Sequence, residues 1–432
     1  MINRRAFIKW SGAAGVSMAT FGLSDLARAA IVPVPTTTGI KGKVVVVGGG
    51  MAGATVAKYL RIWGGSGVSV TLIERESTYA SNIMSNLVLN GSRTMSSLQY
   101  GYGNLTTRYG VKVVKGEVAT IDKATRRVTL TNGTYYDCDR LVVAPGIDFE
   151  FPAGLETAAA QAKVPHAWKA GAQTTALRNM ITAMPNNGVF VMSIPAKPYR
   201  CPPGPYERAC IVADWLKVNR PGSKVIVLDA NPGITAEVHS FQEGFLLHNI
   251  DYRPNTTVLG VNTATMTLST NNGPVSGNVL NVIPQHRAGR VITDNGLANT
   301  ADGRWTNVNV LSYESTTAPR IHVIGDASMT PQPKAGHIAN QEAKVCADAI
   351  LRLLSGLPLD PSPHTNSACY SPITATTASW LTVNFRYGPD PVTGAMTMVP
   401  VPASSGEASA RSTSNFSEMG KWFTALMGDS FA

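Results

Sequence analysis

The chain has 432 residues, of which 44% are apolar and 15% charged, with a formal net charge of +10 and five cysteines. That apolar share excludes a disordered chain, and the length allows two or three domains with a large core. The basic balance suits an anionic substrate, an acidic partner or a membrane surface, but no basic run interleaved with aromatics points to nucleic acid.

Residues 1–29 read as an address outside the fold. Arg4-Arg5-Ala6-Phe7-Ile8-Lys9 is a twin-arginine pattern, an apolar stretch runs from Trp10 to Leu23, and Ala27-Arg28-Ala29 offers a small-x-small cleavage site. The apolar stretch is too short and too rich in Gly and Ser for a stable membrane span. Export of the folded protein to a bacterial periplasm is expected, a compartment that permits disulfides. Loss of the four basic residues and one acid of this segment would lower the charge from +10 to +7.

Lys43-Val44-Val45-Val46-Val47 is a continuous β-branched run, as in a parallel strand covered on both faces. Gly48-Gly49-Gly50-Met51-Ala52-Gly53 follows at once, then a helical stretch from Ala54. Between strand and helix, G-x-G-x-x-G is credible as a pyrophosphate cradle. A second strand, Val68 to Ile73, ends in Glu74, placed to grip a ribose diol. Arg140 to Val143 runs into Ala144-Pro145-Gly146, and Ile321 to Ile324 runs into Gly325-Asp326. In this order the segments resemble FAD-binding flavoproteins of the glutathione-reductase-like superfamily, in which such an aspartate holds the ribityl chain. The cofactor contacts expected are Gly48, Gly50, Ala52, Gly53, Glu74, Arg75, Asn86, Val118, Ala144, Pro145, Gly146, Gly325, Asp326 and Lys334. For Lys334 a solvated side chain competes evenly with a charge near the flavin.

Gly188 to Ile194 and Lys224 to Asp229 read as two strands of a second nucleotide-binding unit. The glycine loop expected after the first is replaced by Tyr199-Arg200-Cys201-Pro202-Pro203-Gly204-Pro205-Tyr206-Glu207-Arg208. Prolines cannot supply a nest of amides, so nicotinamide binding is expected to be lost and a thiol gained. Cys138, Cys210 and Cys346 read as inert thiols. Cys201 and Cys369 stand out by position, although connectivity is not deducible from spacing.

Cys201-Pro202-Pro203-Gly204-Pro205-Tyr206-Glu207-Arg208, Pro165 to Gly171, Ile283 to Gly289, Val323 to Ala327 and Cys369-Tyr370-Ser371 together resemble the flavoprotein subunit of flavocytochrome c sulfide dehydrogenase, over essentially the whole mature length. The resemblance implies a redox-active Cys201–Cys369 disulfide beside FAD, attacked by sulfide to leave a persulfide and a thiolate that reduces the flavin. Glu207 is the candidate acid/base group, against the competing reading of a surface or helix-cap carboxylate. The family attaches its flavin through a cysteine three residues before Ser-Asn; here that position is Asn82, so FAD is expected to be held non-covalently.

No Cys-x-x-Cys-His haem site is present in the chain, and the resemblance implies a separate c-type cytochrome subunit as acceptor. One alternative is delivery to membrane quinone, for which Met419, Trp422, Phe423, Leu426 and Met427, at helical spacing, are the candidate membrane-facing element; packing on the protein's own core or on a subunit is favoured. The other is a non-catalytic flavin-binding subunit. The fold expected is α/β: two Rossmann-like domains, the second degenerate, plus a C-terminal α+β interface domain. Its boundaries are residues 30–150 with 275–360 for FAD, 151–274 for the degenerate unit and 361–432 for the interface.

Overall fold

A computed structural model describes residues 37–432; the expected twin-arginine segment, residues 1–29, lies outside the described residues. The apolar run after Gly42 forms strand β1 (Gly42–Val47), and the glycine turn delivers the chain into helix α1 (Met51–Gly64). Strands β2 (Val68–Glu74) and β3 (Arg140–Val143) flank β1, both parallel to it. Val44, Val45 and Val46 are buried, each worth about 1.5–3 kcal/mol relative to exposure. Both faces of the sheet are covered, which explains why these strands read as unbroken apolar runs rather than as alternating ones.

The second unit is a smaller parallel sheet. Strand β4 (Val189–Ile194) leads through the proline-rich loop into helix α2 (Gly204–Asn219), and β5 (Lys224–Asp229) precedes helix α3 (Val238–His248). Strand β4 is central, between β5 and β6 (Val279–Val282). The placement of β6 corrects the expected boundary: the sequence pattern puts residues 279–282 in the returning FAD segment, but they pair with β4. Every residue of β6 is buried, and an apolar run of four carries no period to say which sheet will receive it.

Strand β7 (Ile321–Val323) returns to the first sheet beside β3, and helix α4 (Gly336–Leu354) packs along α1. The chain then forms an antiparallel sheet whose first two strands are β8 (His364–Pro372) and β9 (Ala378–Pro389). It closes with helix α5 (Thr413–Phe431), started by Ser412, whose hydroxyl accepts a hydrogen bond from the Asn415 amide. Met419, Phe423, Leu426 and Met427 are buried, and α5 packs against α1 and β9. Its apolar stripe therefore faces the protein's own core. Among the described residues no helix is long and apolar enough to cross a membrane.

Candidate functional site: a dinucleotide cradle beside two cysteines

The cradle depends on close backbone approaches that only glycine permits. Gly48 has φ +97°, and a Cβ there would lie 2.3 Å from the Ala144 carbonyl oxygen; one on Gly53 would lie 1.7 Å from the Gly48 carbonyl oxygen. Gly50, by contrast, faces open space: the nearest atom to a Cβ there would belong to the Tyr79 ring, 3.9 Å away. The amides at the start of α1 are thereby left facing the space where a pyrophosphate would bind. Glu74, at the end of β2, accepts a hydrogen bond from the Gly49 amide at 2.6 Å.

Behind the cradle, the Gly325-Asp326 turn packs on α1, with Gly325 (φ +70°) close to Ala52. The Gly325 amide donates to Glu342 Oε2 at 2.6 Å. Burial pushes the Glu342 carboxyl up to about 8. Asp326 Oδ1 is buried with no hydrogen-bond partner among the described residues. Burial raises the Asp326 pKa while Arg200 and Lys334 oppose the rise. An orphaned buried carboxylate oxygen beside a glycine cradle fits a polyhydroxy chain such as the ribityl group of FAD.

Lys334 is buried, which removes the solvated alternative. Its ammonium donates to the Ser328 carbonyl at 2.6 Å and lies 3.8 Å from the Trp305 ring centroid. Burial lowers its pKa to about 8, against the pull of Asp326 and Glu342. Asn86, expected at the cofactor, uses its side-chain amide within the protein. Its Nδ2 donates to Glu207 Oε1 (2.9 Å) and to the Gly204 carbonyl (3.1 Å), and its Oδ1 accepts from Arg208 Nε (2.9 Å). Arg75 is exposed and pairs with Glu76. Val118 opens a small antiparallel sheet with residues 127–130 and 135–136.

Cys201 sits in the left-handed region (φ +60°), just before α2. Its amide donates to the Lys334 carbonyl at 2.7 Å. Three residues further on, His337 Nδ1 accepts from the Ala368 amide at 3.0 Å, next to Cys369 on β8. This short bridge brings the two cysteines into one neighbourhood. Both are free thiols here and half-buried. Burial pushes the Cys201 thiol up to about 12, helped by Glu207. The Cys369 thiol is raised well above its usual value by burial, then by Cys201, Glu237 and Glu207 in that order.

Glu207 is buried in the first turn of α2, so it is no surface carboxylate. Burial drives its pKa up to about 8, against the Asn86 hydrogen bond. Sequence reading missed the groups that hold it. Arg208 is buried and donates to the carbonyls of His166 (2.8 Å) and Ala167 (2.7 Å), to Asn281 Oδ1 (2.9 Å) and to Asn86. It also stacks over Trp168, 4.6 Å from the ring centroid. A charged residue in the otherwise buried N-terminal half of α2 was the available signal, since arginine is seldom buried unpaired. Asn82, at the family's attachment position, accepts from the Ala170 amide at 2.8 Å and from Arg200 at 3.3 Å.

The carboxylate that ends the second strand of the second unit is already engaged. Asp229, at the end of β5, is buried and accepts from Tyr206 and Tyr252, both at 2.8 Å, and from the Asn231 amide at 2.9 Å.

Comparison with known proteins agrees with this architecture. Residues 42–180 match the family model for pyridine nucleotide-disulphide oxidoreductases. Residues 174–284 match that for the central part of the sulfide dehydrogenase [flavocytochrome c] flavoprotein chain. Among solved structures, the chain is similar to the sulfide:quinone oxidoreductase of the hyperthermophilic bacterium Aquifex aeolicus, with TM-score 0.70, 18% identity, and 90% of this chain and 91% of that one covered. NDH2 from Plasmodium falciparum, in complex with NADH, gives 0.65 at 12% identity, covering 90% and 96%. The NAD-dependent persulfide reductase from A. fulgidus gives 0.57 at 14%, covering 90% and 77%. These likenesses establish the two-unit fold, and the family implies FAD as the cofactor of a flavin oxidoreductase. Through residues 174–284 the chain is thus similar to the central part of the sulfide dehydrogenase [flavocytochrome c] flavoprotein chain, on the pyridine nucleotide-disulphide oxidoreductase fold.

Proposed function

We propose that this chain oxidises sulfide through a Cys201–Cys369 disulfide and passes the electrons by way of FAD to a c-type cytochrome subunit in the periplasm. The observation that carries the reading is the placement of Cys201, Cys369 and buried Glu207 together, where a nicotinamide domain would present its phosphate loop. FAD, when bound, supplies the two-electron acceptor. Gly48, Gly50 and Gly53 admit its pyrophosphate, Glu74 is placed for a ribose, and Asp326 for the ribityl hydroxyls. Lys334 lends positive charge to that end of the site. Asn82 cannot form a thioether, so the cofactor is held without a covalent link at that position.

The protein's own part is thiol chemistry. Hydrosulfide attacks one sulfur of the disulfide; a sulfur–sulfur bond forms to the substrate as the Cys201–Cys369 bond breaks, and the departing cysteine leaves as a thiolate. Burial that raises the thiol pKa values makes the thiolate slower to leave but, once formed, more nucleophilic. Glu207 holds or releases a proton beside Cys201, and Arg208 with Asn86 fixes its orientation. The expenditure of Asp229 on two tyrosines supports a donor other than a nicotinamide. The packing of Met419, Phe423, Leu426 and Met427 against the protein's own core supports a docked acceptor over delivery to membrane quinone. The twin-arginine pattern supports a periplasmic location.

The test is anaerobic addition of sulfide to the yellow protein, with Cys201→Ser alongside. Rapid bleaching of the flavin band in the wild type and none in the variant is expected. A wild type that stays yellow would sink the reading for this chain alone.

A further inference from the structure

Glu237 was singled out by no motif, and nothing in the reaction as drawn uses it. It immediately precedes α3, has φ +48° and is 2% exposed. Its Oε1 accepts a hydrogen bond from Ser371 Oγ at 2.6 Å. Ser371 lies two residues beyond Cys369 on β8, and side chains two apart in a strand leave the same face. Glu237 therefore caps the face of β8 that carries Cys369. Its second oxygen, Oε2, is buried with no hydrogen-bond partner among the described residues. A purely structural tie between β8 and the start of α3 would need only the Oε1 contact, which glutamine makes equally well without burying a charge.

We propose that Glu237 is the proton acceptor for the sulfur that forms on Cys369, the counterpart of Glu207 on the Cys201 side. This rests on the sulfide reading above. The two cysteines differ in surroundings. Cys201 bonds to Lys334 through its backbone and feels Asp326, so it stands on the side of the cofactor cradle. Cys369 feels Glu237 before Glu207, which makes it the substrate side. Hydrosulfide attacks Cys369 Sγ, the Cys201–Cys369 bond breaks, and Cys201 leaves as a thiolate with the bonding pair. The resulting Cys369–S–SH gives its proton to Glu237 Oε2, leaving a persulfide anion and a neutral carboxylic acid. Sulfide sulfur is oxidised to the persulfide level and the disulfide is reduced by the same two electrons, which FAD then accepts.

The groups facing Glu237 set its titration. From β8 comes Ser371 and from β9 Ser379, whose hydroxyls both hydrogen-bond the carboxyl and oppose the rise, Ser379 being shared with Ser240 at 2.8 Å, and from the strand Gly406–Glu407 comes Glu407, which adds to it. Glu207 from α2 is itself raised by Glu237. Burial is the largest influence and brings the carboxyl up to about 7. It can therefore accept a proton near neutrality and release it again.

The experiment compares wild type, Glu237→Gln and Glu237→Asp by two readouts. One is the rate of flavin bleaching by sulfide from pH 5.5 to about 9, a range that brackets the shift. The other needs no flavin: iodoacetamide labelling of Cys369 in the reduced apoprotein, followed by peptide mass spectrometry. Wild-type bleaching should rise through about pH 7, and Glu237→Gln should lose that rise and run about tenfold or more slower, with Glu237→Asp between them. Labelling of Cys369 at pH 8 should be faster in Glu237→Gln, because a negative neighbour no longer opposes the thiolate. An unchanged profile and unchanged labelling in Glu237→Gln would overturn the proposal while leaving the sulfide reading intact. If the wild type itself is not bleached, the sulfide reading fails, and with it the role of Glu237 as acceptor.

Discussion

Replacing Asp326 with asparagine keeps the side chain's shape and removes its charge, at a carboxylate whose Oδ1 is buried without a partner among the described residues. In the flavin-free protein that oxygen is a liability, since a buried unsatisfied polar group costs about 1–3 kcal/mol and a charged one more. Asparagine still buries polar atoms, so a gain of about 1 kcal/mol in the stability of the apoprotein is expected. The pH dependence follows from the sign of the shift. The folded carboxyl titrates above its unfolded value, so wild-type apoprotein is penalised once pH rises past the unfolded value and through the folded one; the variant is not. With FAD bound the balance reverses. A hydrogen bond to a charged group is worth about 1.5–3 kcal/mol against about 0.5–1.5 for a neutral one. The difference of about 1–1.5 kcal/mol corresponds to flavin binding weaker by about five- to twelvefold. Urea midpoints of the apoprotein between pH 4 and 8 and a fluorescence titration with FAD measure the two effects. An Asp326→Asn variant that is less stable without flavin, or that binds FAD as tightly as wild type, would refute the reasoning.

Two further outcomes follow from the same site. Arg208→Met leaves four acceptors, the carbonyls of His166 and Ala167 and the side-chain oxygens of Asn86 and Asn281, without their donor. A loss of at least about 4 kcal/mol in the urea unfolding of the apoprotein is expected, and a change below about 1 kcal/mol would show that the arginine is dispensable. Glu207→Gln should remove a pH effect: the wild-type carboxyl, raised by burial to about 8, favours the fold below the usual carboxylate value and loses that advantage as pH rises to about 8. The glutamine variant should therefore gain on the wild type between pH 5 and 9 in thermal melts, while its reduction by sulfide slows by about a hundredfold; parallel melting curves across that range would contradict the assignment.

The FAD half was legible from local pattern. A β-branched run, three spaced glycines and a terminal acid each have a local physical cause, so β1, α1, β2 and Glu74 fall where the sequence places them. The proline-rich loop was legible for the complementary reason, as a stretch that cannot do what its position in the fold would ask. Less visible were residues whose role arises only in packing. Asn86 sits beside a helix start in sequence, yet its partners Gly204, Glu207 and Arg208 lie more than a hundred residues away. Val279–Val282 has the composition of either sheet, and pairing with β4 chose for it.

By itself the sequence determined the parallel strands, the glycine cradle and its acid, and the loss of the second phosphate loop, because those features follow from backbone sterics and periodicity within a few residues; the two cysteines were singled out by resemblance. Tertiary structure alone decided the rest. It buried Glu207, Glu237, Glu342 and Asp326 and so raised their pKa values; it spent Asp229 on two tyrosines; it turned the apolar stripe of α5 onto α1 and β9. Desolvation is a property of everything packed around a group, and for these residues most of that surrounding chain is distant in sequence.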